Sequence, residues 1–158
     1  MGLFSFLKGA GEKLFGSKTP TAPAVPEVDA AAIERERKIT AMQSYLTGLG
    51  LDIANIDLDL EGDKVTVYGQ AQTQADKEKL ILALGNVEGV ASVDDRVSVL
   101  ISEPEAEMYE VKSGDSLSKI AKHFYGDPMR YNEIFEANMP MLKHPDKIYP
   151  GQMLRIPK

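Results

Sequence analysis

Two glycines four residues apart, Gly85 and Gly89, separate an apolar run from an alternating one. Leu80-Ile81-Leu82-Ala83-Leu84 stops at Gly85-Asn86, and Val90-Ala91-Ser92-Val93 begins a new pattern. That order reads as helix, tight loop, strand, with Gly85 where a helix C-cap takes a left-handed residue. The last helical carbonyls and those of the loop would crowd there without a full set of N–H partners, at the negative end of the helix. Such a place attracts a cation if something closes over it. A potassium ion suits it, because neutral carbonyl dipoles can replace its weakly held water, whereas calcium or magnesium would call for clustered carboxylates. An ordinary helix C-cap is the plainer reading of the same residues.

Other residues capable of chemistry offer less. Ser113, Ser116 and His123 do not make a nucleophile with its base, since the serines belong to a turn and a cap and His123 lies on a helix beside Lys122. Asp57, Asp59, Asp94 and Asp95 alternate along strands, as solvent-facing carboxylates would, without the ligand spacing of a calcium loop. No cysteine and only two histidines argue against disulfide, thiolate or histidine-rich metal chemistry. The expectation is a binding protein, not an enzyme.

With 158 residues, 43% apolar and 27% charged, the chain is globular and long enough for two small domains. Residues 108–158 hold eight Lys/Arg against six Asp/Glu, a net +2, while the rest holds ten against eighteen, a net −8. The acidic part repels nucleic acid and anionic membrane and attracts cations. No run reaches the roughly 18 apolar residues of a membrane span, and no signal-type segment opens the chain, so a cytoplasmic monomer is expected.

The elements that would position the loop follow from periodicity. Leu3, Leu7, Ala10 and Leu14 lie at helical spacing, predicting an amphipathic helix over residues 3–15, followed to residue 28 by a Pro/Ala-rich linker long enough to fold it back. From Asp29, a plausible N-cap, Ile33, Ile39, Met42, Leu46 and Leu49 mark a second helix that Gly48 and Gly50 end. Residues 56–60 and 65–68 alternate around Glu61-Gly62-Asp63 as a hairpin, Thr73 starts the helix leading to Gly85, and residues 90–100 supply a third strand. An acidic joint at 102–107 follows. Beyond it, Gly114 permits a turn, Asp115 can cap a helix, Ile134 to Met141 suggest another helix, and Met153-Leu154-Arg155-Ile156 is a strand. The fold class is α+β: an αββαβ sandwich at 29–101, then a βααβ domain at 108–158.

The element order, Gly69 and the run Val87-Glu88-Gly89-Val90-Ala91-Ser92-Val93 resemble a BON domain over residues 33–101. The opening Val111-Lys112-Ser113-Gly114-Asp115-Ser116-Leu117 and the ending Tyr149-Pro150-Gly151-Gln152-Met153-Leu154-Arg155-Ile156-Pro157 resemble a LysM domain over residues 108–157. Together, behind Met1-Gly2-Leu3-Phe4, they are similar to the family of bacterial cytoplasmic potassium-binding proteins. That resemblance implies a site made of backbone carbonyls, carried by position onto Leu7 and Ala10 with Gly85, Val87 and Val90, open to potassium, rubidium and caesium. The LysM resemblance implies an alternative, a glycan-binding or envelope adaptor whose groove would use Gly114, Asp115, Ser116, Leu117, Asn138, Pro140 and Met141, with protein docking a further use of the same surface.

Overall fold

The computed structural model describes residues 2–11, 13–14 and 27–158, with residues 27–29 described by their backbone alone. The linker at 16–26 lies outside the described residues, as do Glu12 and Phe15 of the expected first helix.

Helix α1 (Glu27–Leu49) starts two residues before Asp29 and buries Ile39, Met42 and Leu46, while Ile33 faces solvent at 61% exposure. Gly50 follows it with φ +66°, the left-handed geometry that ends a helix at little cost for glycine. Strands β2 (Ile53–Glu61) and β3 (Lys64–Thr73) form an antiparallel hairpin in which Leu58, Leu60, Val65 and Val67 point into the core. Asp57 and Asp59 fall on the opposite face by the two-residue period of a strand.

Helix α2 (Gln74–Gly85) begins where the Thr73 hydroxyl accepts the Asp76 N–H at 3.1 Å. It crosses over to β4 (Ser92–Ile101), which pairs parallel with β3. Such a connection needs a helix-length crossover, and α2 with its loop provides it.

The first segment departs from expectation. Residues 3–5 form strand β1 (Leu3–Ser5), antiparallel to the outer edge of β4, giving sheet order β1-β4-β3-β2. Phe4 and Phe6 pack on the core while Leu3 is 64% exposed, a period of two that overrides the helical spacing. A short helix broken by Gly9 and Gly11 would be marginal in water, whereas β1 pairs an otherwise open sheet edge.

Strand β5 (Glu107–Glu110), helix α3 (Leu117–Tyr125), a 3-10 turn (Pro128–Arg130), helix α4 (Tyr131–Ala137) and strand β6 (Met153–Ile156) enclose a second core of Val111, Leu117, Ile120, Ile134, Leu154 and neighbours. The cap of α3 is Ser116, which accepts the Lys119 N–H at 3.2 Å; Asp115 instead accepts from the Tyr109 hydroxyl at 2.6 Å and the Lys112 N–H at 2.9 Å.

The two cores are joined by more than the connecting chain. Glu78, 3% exposed on α2, accepts the Ala106 N–H through both carboxylate oxygens and lies 3.7 Å from the Arg155 guanidinium. Met141 packs against the first core.

Candidate cation site

The loop after α2 is built differently from its sequence signature. Gly85 is the last helical residue and does not take a positive φ; Asn86 is the cap residue, with φ −83° and ψ 10°. Glycine is required at 85 because a Cβ there would collide with the Phe6 ring. The left-handed residue of the loop is Gly89, φ +100°.

Residues 6–11 lie directly on this loop. The Phe6 N–H donates to the Ala91 carbonyl and the Gly89 N–H to the Lys8 carbonyl, both at 2.8 Å. Gly11, at φ +126°, approaches so closely that a Cβ would overlap the Asn86 carbonyl. Lys8 Nζ reaches Asp63 Oδ2 at 3.1 Å, fastening the segment to the β2–β3 turn, whose Asp63 carbonyl accepts the Ala91 N–H at 2.8 Å. On the other side, a Cβ at Gly151 would collide with Leu7 and come within 3.0 Å of the Ala10 Cβ. The segment is therefore held between the loop and the β6 side of the second domain.

This arrangement brings together the two chain segments that hold Leu7, Ala10, Gly85, Val87 and Val90. Val87 and Val90 are 0% and 1% exposed and point their side chains into the core, so they can offer a ligand only their backbone oxygens. The Leu7 carbonyl accepts the Ala10 N–H and the Val87 carbonyl the Val90 N–H, each at 3.1 Å. Among the described residues, no donor reaches the carbonyls of Ala10, Gly85 or Val90. Three carbonyls without a donor among the described residues, on two contacting segments, put acceptor oxygens and their negative partial charge close together.

The carboxylates do not assemble into a rival centre. Asp59 is bonded to Arg35, Asp94 holds Arg96 at 3.1 Å, and Asp95 holds Lys77 at 2.9 Å. Among the described residues, no three His, Cys, Asp or Glu side chains gather as a metal site. Asp95 corrects the solvent-facing reading: it is 2% exposed, sharing the inner face of β4 with Val93 and Val97.

In the second domain, Gly114 (φ +88°), Asp115, Ser116 and Leu117 form the β5–α3 turn, and their polar groups serve the local turn and cap. Asn138 is 2% exposed, with its side chain spent on Ile134 and Arg155 backbone groups. Pro140 and Met141 line a cleft of about 310 Å³ facing Tyr45 and Leu49 of α1. One wall of the expected glycan groove is thus turned toward the first domain.

Sequence reading missed Phe6, Lys8, Gly11 and Asn86, which fix the geometry without being ligands in the expected set. The alternation of Phe4 and Phe6 was the available signal for a strand; nothing local indicated that Asn86 has a distant partner.

No helix of the described residues is long and apolar enough to cross a membrane. The BON domain family model matches residues 40–100 and the LysM domain model residues 109–157. A protein of Deinococcus radiodurans described as uncharacterized is 33% identical over 85% of this chain, which spans 58% of that relative's length. The potassium binding protein Kbp of Escherichia coli O6:H1 is 43% identical over the whole of this chain and 99% of its own. With a BON domain and a LysM domain in the same order as the sequence resemblance implied, this chain belongs to the family of the potassium binding protein Kbp.

Proposed function

We propose that this protein binds potassium as a monomeric cytoplasmic sensor or buffer of the ion, without catalysis, through the backbone carbonyls of Leu7, Ala10, Gly85, Val87 and Val90. The observation that carries the reading is the backbone-to-backbone seating of residues 6–11 on the loop, with the Ala10, Gly85 and Val90 carbonyls lacking donors among the described residues. Neutral oxygens strip water readily from a large monovalent ion and poorly from a small one. The site should therefore accept potassium, rubidium and caesium over sodium and lithium. The likeness to a potassium binding protein over the full chain supports the same ion.

Glycan recognition is the weaker use of the LysM domain, because Asn138 is engaged in its own fold and Met141 packs on the neighbouring core. Calorimetric titration of the intact chain with potassium, rubidium, sodium, magnesium and chitin oligomers tests both readings. Heat from potassium and rubidium but little from sodium or magnesium supports the cage. Heat from magnesium or chitin alone contradicts it.

A further inference from the structure

The side chain of Asn86 stands between two of the proposed ligands, Gly85 and Val87, yet points away to the other domain. Its Nδ2 donates to the Met153 carbonyl at 2.8 Å and its Oδ1 accepts the Met153 N–H at 2.9 Å. One residue pair further along the same edge of β6, Asn138 does the same to Arg155, with Nδ2 to the carbonyl at 2.9 Å and Oδ1 from the N–H at 2.8 Å. Two asparagine amides thus stand in for a third strand along β6, whose other edge pairs with β5. Asn138 comes from within the LysM domain, so its bonds belong to that fold. Asn86 comes from the cation loop, 67 residues away, and its bonds exist only when the domains are docked. Because both amide groups are used, the Asn86 side chain cannot rotate without losing one bond or both, and the peptides on either side are held with it.

We propose that Asn86 is the positioning residue of the cation loop, tying the carbonyls of Gly85 and Val87 to the LysM strand so that domain docking and potassium binding strengthen each other. This rests on the carbonyl-cage reading above. By linkage, whatever factor docking contributes to ion affinity, the ion contributes to docking.

Asn86→Ala removes both bonds. Asn86→Asp keeps the acceptor for the Met153 N–H, loses the donor to the Met153 carbonyl, and places a negative charge beside the ion. Positioning and simple electrostatics therefore give opposite signs for the aspartate variant. The test is potassium titration by calorimetry on the intact chain, with hydrogen exchange of the Met153 amide measured in potassium and in sodium. The expected result is a loss of potassium affinity of about tenfold in both variants, a typical coupling between sites. In the unaltered protein, potassium should slow Met153 exchange more than sodium does, and this difference should vanish in Asn86→Ala. If Asn86→Ala fails to fold by circular dichroism, Met153→Pro, which deletes the same N–H on the β6 edge that pairs with no strand, should give a loss of the same order. Unchanged affinity in Asn86→Ala, tighter binding in Asn86→Asp, or Met153 exchange indifferent to potassium each overturns the positioning role. An unaltered protein that takes up no potassium overturns the cage itself.

Discussion

The BON loop at 85–91 and the LysM turn at 111–117 are both glycine-bearing bends next to a helix end, and they spend their polar groups in opposite ways. In the LysM turn, side chains close the accounts locally: Asp115 accepts from Tyr109 and Lys112, and Ser116 caps α3. A Cβ at Gly114 would meet nothing within 4 Å. In the BON loop, bulky apolar side chains are drawn into the core, a second chain segment lies on the backbone, and three carbonyls are left without donors among the described residues. A turn satisfied by its own side chains is structural. One crowded by backbone and short of donors is suited to a cation.

The largest expected effect breaks the contrast outright. Gly85→Ala puts a methyl group where the Phe6 ring sits, so the ring must move and the seating of the segment bearing Leu7 and Ala10 on the loop is disturbed. Potassium binding should fall below calorimetric detection while the LysM core stays folded. Gly114→Ala, placed in open space, should cost only the strain of a positive φ, about 1 kcal/mol, and leave binding unchanged. Equal binding by both variants would erase the distinction between the two turns.

Buried and exposed ion pairs sharpen it next. Lys77→Met leaves the Asp95 carboxylate buried without its cation and should destabilise the first domain by about 3 kcal/mol. Thermal unfolding monitors this. Arg130→Ala opens a pair whose side chains are 41% and 49% exposed and removes the guanidinium stacked on Tyr125, and should lower Tm far less than Lys77→Met.

A smaller effect is confined to the LysM turn and depends on pH. The hydrogen bond from Tyr109 holds the Asp115 carboxyl below its ordinary range, with the Lys112 N–H contributing in the same direction. The same bond, with burial and the Asp115 charge, pushes the Tyr109 hydroxyl up to about 12. A depressed carboxyl stabilises above its unfolded pKa of about 3.9, and that stability is lost as pH falls through the lower folded value. A raised phenol stabilises below about 10, and its contribution is lost as pH rises through the folded value. Tyr109→Phe should therefore lower Tm most near neutral pH, and the gap to the unaltered protein should narrow at both extremes. A gap independent of pH would mean that the pair contributes packing alone.

The smallest effect is expected from Asp94→Asn. Asp94 is paired with Arg96, and its charge adds only a screened contribution to any cation nearby. A large loss of potassium affinity in this variant would favour a carboxylate site over the carbonyl cage.

Much of this architecture is legible in the sequence because periodicity and caps agree. Leu58, Leu60, Val65 and Val67 alternate around a glycine turn, and Thr73 stands three residues before an acidic partner at a helix start. The first segment misled because Leu3, Leu7 and Ala10 satisfy a helical period while Phe4 and Phe6 satisfy a strand period, and only the open edge of β4 decides between them. Asp95 shares parity with Val93 and Val97, which places it on the inner face, and only the fold brings Lys77 to its carboxylate. Gly85 is expected as a left-handed cap, but it is the last residue of α2, and the Phe6 ring that a Cβ would meet lies 79 positions earlier in the chain. Asn86 carries no local signal, as its partner is across the domain boundary.

The most direct test of the carbonyl cage is the backbone carbonyl carbon-13 spectrum of the intact chain, titrated with potassium and, separately, with sodium. The account expects potassium-specific shifts concentrated at Leu7, Ala10, Gly85, Val87 and Val90, with the side-chain carboxyl carbons of Asp94 and Asp95 little changed. Shifts centred on those carboxyl carbons, with the five carbonyls unmoved, would contradict it.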